Sequence, residues 1–148
     1  KILLAACVVL AVATTVQCVK WKDCGSKQGK INKLIVIGCE GKDECPLKKG
    51  TNVSLEVDFS PKEAVSKATS VVHGIIDGLP IPFPLDNPDA CKDSNLACPL
   101  ASGGNFAYKT AIFVKTIYPK VRVVIKWELK DQSGKDIFCF EMPATIVD

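Results

Sequence analysis

The sequence is poor in the residues from which active sites are usually assembled. Its 148 residues hold one histidine, one methionine and only 7% aromatic side chains. The lone His73 sits between Val72 and Gly74 in a β-branched run. No Gly-x-Ser-x-Gly elbow and no cluster of metal-ligating side chains accompanies it, so hydrolytic and metal-assisted chemistry have nowhere to start. His73 reads as a structurally satisfied strand residue. Asp86 and Asp89 offer two carboxylates, but both lie in a Pro/Asn turn whose conformation already explains them. Charge of neither sign is gathered: 19 Lys and Arg and 16 Asp and Glu are scattered to a net +3. The lysines between Lys20 and Lys33 and between Lys42 and Lys49 are interrupted by acidic residues, a solvated face rather than a nucleic-acid stripe. No helical period runs through the chain after its first residues. Few aromatics beside many Val and Ile favour β structure.

What is present begins with an apolar leader. Lys1, the run Ile2 to Ala13, and Thr14-Thr15-Val16-Gln17-Cys18 read as residues 1–18 of a secretory signal, with cleavage near Cys18 and Lys1 following an initiator Met. The run is too short to span a bilayer, and no later stretch approaches that length. The expected product is therefore exported and soluble. Residues 19–148 suit one domain with one core.

Eight cysteines are present, of which Cys7 and Cys18 fall in the leader. The six others are an even set for an oxidising compartment, and six allow fifteen pairings. Cys39 to Cys45 and Cys91 to Cys98 each enclose a short turn-like loop, which leaves Cys24 to Cys139 as a clasp across the domain. These spacings lack the paired Cys-x-x-Cys hooks of a zinc site.

Taken in order, Val19–Cys24, Lys30–Ile37, Thr51–Phe59, Phe106–Val114, Val121–Leu129 and Ile137–Val147 read as strands separated by turns. Thr51–Phe59 alternates most cleanly, with Val53, Leu55, Val57 and Phe59 inward and Asn52, Ser54, Glu56 and Asp58 outward. Asn52-Val53-Ser54 is a glycosylation acceptor on the wet side. Cys39 to Pro46 and Asp86 to Pro99 read as stapled loops. The organising stretch runs from Val71 to Pro84, a β-branched run and then Pro80, Pro82 and Pro84 at alternate positions. Successive N–H groups of an antiparallel strand point to opposite edges, so these prolines lose donors on one edge only and the segment must border a sheet. Leu79, Ile81 and Phe83 share a face pointing at whatever lies beneath. Two readings of that lip stand: a rigid edge that blocks strand-to-strand aggregation, or the mouth of an apolar cavity. Seven or so short strands predict an all-β, immunoglobulin-like antiparallel β-sandwich, without the Cys-Trp-Cys spacing of an antibody domain.

Lys22-Asp23-Cys24-Gly25-Ser26, Val71-Val72-His73-Gly74-Ile75, Pro80-Ile81-Pro82-Phe83-Pro84, Pro88-Asp89-Ala90-Cys91-Lys92, Cys98-Pro99-Leu100, Tyr118-Pro119, Trp127-Glu128-Leu129 and Phe138-Cys139-Phe140-Glu141 together resemble the secreted ML lipid-recognition family. Within it they are similar to the small soluble Niemann-Pick type C sterol-transfer proteins; mite group 2 allergens are more distant members. The resemblance spans essentially the whole of residues 19–148, with the six cysteines in register. It implies a sandwich whose sheets part around a lipid, with no catalytic residues and no cofactor. Carried across by position, it places Phe83, Val114 and Tyr118 at a pocket mouth, and Val36, Leu55, Val57, Phe59, Val72, Ile81, Ile125 and Trp127 along its walls. Lys49, Asp89 and Lys92 fall on surface positions near the opening used for membrane or partner contact. The implied partners are a sterol or other small apolar lipid, donor and acceptor membranes, or a membrane sterol transporter, for a secreted or lysosomal monomer. Two positions depart from the pattern: Val53 where an aromatic stands, and Phe113 where a proline is expected. Arthropod relatives of this kind carry fatty acids and other apolar signals, and others are innate-immune lipid-recognition modules, which are the alternatives to a sterol carrier.

Overall fold

The computed structural model describes residues 19–148 and, before them, only the antiparallel pairing of Val9–Leu10 with Thr15–Val16. The leader assigned to residues 1–18 otherwise lies outside the described residues. Nine strands follow: β1 (Lys22–Asp23), β2 (Gly29–Val36), β3 (Cys45–Lys48), β4 (Asn52–Pro61), β5 (Thr69–Ile76), β6 (Leu79–Phe83), β7 (Phe106–Phe113), β8 (Arg122–Lys130) and β9 (Asp136–Val147). They form two sheets, a larger one in the order β1-β9-β8-β5-β6 and a smaller one in the order β2-β4-β7. The fold is the predicted β-sandwich.

The alternation in β4 explains why the sheets face each other. Val53, Leu55, Val57 and Phe59 are buried while Asn52 and Ser54 are exposed, so one face of the small sheet must be covered. The large sheet covers it with Val123, Trp127 and Leu129 of β8 and Phe138, Phe140, Met142 and Ala144 of β9, all buried. The three cysteine pairs are those read from spacing, Cys24–Cys139, Cys39–Cys45 and Cys91–Cys98.

Two elements differ from the sequence reading. The organising stretch is a hairpin: Asp77 and Gly78 turn the chain with φ of 50° and 80°, and β6 folds back on β5. An Asp-Gly pair between apolar runs is the dipeptide that a tight two-residue turn requires, because both central residues take positive φ. The proline argument holds within the hairpin. Pro80 and Pro82 lie opposite Ile75 and His73, and β6 is the sheet edge. The second difference is at Cys45 and Pro46, read as the end of a stapled loop and found with Leu47 and Lys48 as β3, paired parallel to the end of β9. Cys45 and Leu47 are buried there, and four residues are too few to show a period in the sequence. The first strand is also shorter than the stretch Val19–Cys24.

Candidate functional site

The inner face of the large sheet is laid out in rows by its register. Ile81, Gly74, Ile125 and Met142 form one row; Phe83, Val72, Trp127 and Phe140 the next; Ser70, Leu129 and Phe138 the one below. Opposite them the small sheet presents the rows Val53 and Ile112; Val36, Leu55 and Thr110; Leu34, Val57 and Tyr108; Ile31, Phe59 and Phe106.

Accessibility divides these rows. Leu34, Val57, Phe59, Trp127, Leu129, Phe138 and Phe140 are 0% exposed, so no water-sized space adjoins them. Interlocked rings fill this half: Phe59 meets Phe138 edge-on at 5.4 Å, and Trp127 stacks on Phe140 at 6.2 Å. Toward the β5–β6 hairpin the packing opens. Gly74, Ile76, Phe83, Tyr118 and Ile125 are only partly buried there. Ile81 and Leu79, which the sequence pattern turns toward the interior with Phe83, are 48% and 67% exposed. They belong to the outermost strand of the large sheet.

Two of the three residues expected at a mouth, Phe83 and Tyr118, are in contact. The rings of Phe83 and Tyr118 meet edge-on with centroids 5.8 Å apart, a favoured arrangement for aromatic quadrupoles. Tyr118 is presented by the turn its N–H closes on the Lys115 carbonyl, at 3.2 Å. Burial first, and the Asp86 carboxylate second, push its phenol above the usual tyrosine range. Val114 is buried, its N–H donating to the Thr51 carbonyl and its carbonyl accepting from Gly50 N–H. Of the expected wall, Ile81 and Ile125 belong to this open half, and the buried Val72, Leu55 and Val36 lie between it and the sealed one. Val57, Phe59 and Trp127 lie in the sealed half.

The three surface residues separate. Lys49 follows β3 beside the end of β9, on the hairpin side, and its ammonium pairs with Asp148 at 3.5 Å. Asp89 bridges to Thr69 at the opposite end of β5, where its carboxylate accepts from Cys91 N–H at 3.0 Å; Lys92 lies in the same loop. Asn52 is exposed at the start of β4. His73 faces outward between Pro82 and Lys126.

The sequence reading overlooked Gly74, Ser70, Tyr108 and Thr110, which face the same interior. A Cβ on Gly74 would come within 3.1 Å of Val123 Cγ2, so its absence leaves room on the inner face. A glycine inside a β-branched run is the sequence signal for such an approach. A separate surface depression of about 650 Å³ is lined by Cys24, Gln28, Lys62, Lys130, Lys135 and Asp136, among others. It lies at the end of β8 and β9 away from the mouth, and its charged lining suits no apolar ligand. The one group of potential metal ligands among the described residues, Glu128, Asp136 and Cys139, is disqualified by its own partners. Cys139 is in a disulfide and both carboxylates bind the Lys130 ammonium at 3.2 and 3.0 Å.

Comparison with known proteins agrees with this geometry. Residues 18–146 match the family model described as the ML domain. The chain is 48% identical over 128 residues to the NPC intracellular cholesterol transporter 2 homolog a of Drosophila melanogaster, covering 86% of each chain. It is 46% identical over 127 residues to the ecdysteroid-regulated 16 kDa protein of Manduca sexta, covering 85% of this chain and 87% of that one. Among solved structures, the Niemann-Pick type C2 protein from Japanese carpenter ant superposes with a TM-score of 0.83 at 30% identity, covering 86% of this chain and 99% of that one.

Proposed function

The chain belongs to the ML-domain family, and on that premise we propose that it is a lipid carrier without catalytic machinery, with a sterol as cargo, exported to the secretory or lysosomal space. The observation that carries this reading is the Phe83–Tyr118 contact closing the loosely packed half of an otherwise sealed sandwich. Parting those two rings opens a path between the sheets lined by Val114, Leu55, Val72 and Ile125. A sterol offers several hundred Å² of apolar surface. At roughly 25 cal/mol/Å² its transfer from water is worth many kcal/mol before the cost of binding, and needs no reactive group. The name of the 48% identical Drosophila relative, a cholesterol transporter, supports sterol as the cargo.

Delivery needs contact with a membrane or a membrane transporter. Leu79, Ile81 and Ile117, 84% exposed in the last case, surround the mouth as apolar tips, with exposed Lys115 and Lys120 beside them. Such a collar suits an anionic bilayer surface. Asn52, exposed and away from the inner face, is the position for a glycan.

A fluorescent-sterol titration of the oxidised protein tests the reading. Saturable binding displaced by cholesterol is expected. Displacement by a long-chain fatty acid but not by cholesterol would overturn sterol as the cargo.

A further inference from the structure

The outer face of the small sheet changes character along its length. One part is charged: Glu56 lies opposite Ile35 and Lys109, Asp58 lies opposite Lys33 and Ala107, and the Lys109 ammonium pairs with Glu56 at 3.9 Å. Toward the start of β4 the charge ends. Ile37 is 63% and Phe113 46% exposed there, with Asn52, Ser54 and Ala111 exposed around them. Of the large apolar side chains exposed among the described residues, these two are the ones the collar of Leu79, Ile81 and Ile117 does not account for.

Register fixes how they sit. Phe113 is directly opposite Asn52, and Ala111 is directly opposite Ser54. On the other side of Ser54, Ile37 donates its N–H to the Ser54 carbonyl at 3.0 Å. Ile112 and Val114 are buried, so Phe113 between them turns outward, as does Ile37 after the buried Val36. Directly opposed side chains on one face have Cβ atoms about 4.5–5.5 Å apart, within reach of an aromatic ring. The short side chains of Ser54 and Ala111 leave a shallow floor between Phe113 and Ile37. The sequence's one Asn-x-Ser/Thr triplet, Asn52-Val53-Ser54, lies on this surface.

That coincidence names an occupant. The first sugar of an N-linked glycan, N-acetylglucosamine, carries its substituents around the rim of the ring and presents C–H groups on its faces. Such a face suits the electron-rich face of an aromatic ring. We propose that Phe113, with Ser54, Ala111 and Ile37, forms a platform for a glycan carried on Asn52, the first sugar stacking on the Phe113 ring and the next lying toward Ile37. In attachment, Asn52 Nδ2 bonds to C1 of that sugar as the bond from C1 to a polyprenyl pyrophosphate carrier breaks. The pyrophosphate leaves with the bonding pair, and the amide gives one proton to a base. The platform rests on the exported-carrier reading, since export is what brings the chain to that donor.

The test uses the intact oxidised protein, expressed with an initiator Met and secreted from a eukaryotic host that adds high-mannose glycans. Mass analysis of the peptide containing Asn52 is expected to show an attached glycan. Endoglycosidase trimming to a single N-acetylglucosamine, compared with Asn52→Gln, isolates the first sugar. That sugar should raise the melting temperature by about 2–4 °C, and the increment should vanish in Phe113→Ala, which leaves the acceptor triplet intact. An increment that came from restricting the unfolded chain would survive the substitution. The trimmed wild-type protein supplies a second readout that needs no variant: the Phe113 ring current should move sugar C–H resonances upfield of their positions in a short glycopeptide of the same residues. An unmodified Asn52 in the secreted protein, an equal increment in Phe113→Ala, or unshifted sugar resonances would overturn the platform and leave the carrier standing, which the sterol titration reports separately. Retention of the folded chain inside the cell would remove the export reading and the platform together.

Discussion

At the scale of single residues, the arrangement separates groups that hold the fold from groups that serve the opening. Phe83 is partly exposed on an edge strand and touches Tyr118. On the carrier reading proposed above, truncating it removes ligand contact without leaving a cavity in the sealed half. Phe83→Ala is therefore expected to weaken sterol binding by tenfold or more while shifting the melting temperature by only a few degrees; unchanged affinity in the folded variant would refute its place at the mouth. Gly29 is the opposite case. A Cβ there would lie 2.5 Å from the Ile137 carbonyl and 2.8 Å from that of Ser60, both backbone. Gly29→Ala should cost several kcal/mol in urea denaturation, well beyond the roughly 1 kcal/mol of an ordinary glycine substitution, because neither strand can yield. That Phe83 and Tyr118 lie together was legible in the sequence through family resemblance, and the edge position of Phe83 also through its place among the prolines. Ser70 and Tyr108 were not, because a serine and a tyrosine in a strand carry no sign of meeting a partner from the other sheet.

Among the elements, the β8–β9 turn is the one whose chemistry makes a pH-dependent prediction. Asp131 accepts hydrogen bonds from Ser133 N–H at 2.8 Å, Lys135 N–H at 3.0 Å and Gln28 Nε2 at 2.9 Å. Burial opposes its ionisation, yet these bonds prevail and hold the carboxyl below the usual aspartate range. A carboxyl lowered in the folded state contributes stability that is complete above its unfolded value, about 3.9. That contribution is lost as the pH falls through the lower folded value. The turn thus stays intact at mildly acidic pH. Asp131→Ala should cost about 2–3 kcal/mol at neutral pH by loss of charge-assisted bonds. Denaturation midpoints measured from pH 5 to pH 2 should fall less steeply for the variant than for the wild type. Elements with clean alternation, β4 and β8, were readable because one face is wet and the other covered. The β5–β6 hairpin was read as one strand because the proline period ran on from the β-branched run and masked the Asp77-Gly78 turn. β3 was hidden because its pairing depends on the distant end of β9.

On the scale of the whole molecule, the fastenings are unevenly placed, and this sets where the sandwich can open. Gln28, buried, accepts from Lys62 and Glu63 N–H at 3.0 Å each while donating to Asp131, so it ties the small sheet to the large one at the sealed end. Cys39–Cys45 joins the chain after β2 to β3, closing the edge of the sandwich away from β6. At the rim between β6 and the turn after β7, by contrast, Phe83 and Tyr118 meet ring to ring with no covalent link across, a contact worth about 0.5–1.5 kcal/mol beyond its buried area. Deeper on the same side the Ser70–Tyr108 hydrogen bond and the loop bearing Ala90 and Ser94, bonded to Ala68 and Lys109, tie the sheets. Cys24–Cys139 spans 115 residues and anchors the short β1 to the middle of β9. In the chain-entropy description its removal costs about 4–5 kcal/mol, against about 2 kcal/mol for Cys91–Cys98, whose loop is far shorter. The Cys24→Ala/Cys139→Ala variant should lose a correspondingly larger part of its unfolding free energy in urea than Cys91→Ala/Cys98→Ala. Equal losses would show that native-state packing around the bridges, and not the length of chain each one restrains, sets their worth. Because neither bridge lies at the Phe83–Tyr118 contact, sterol affinity in whichever variant remains folded should stay within a few-fold of wild type.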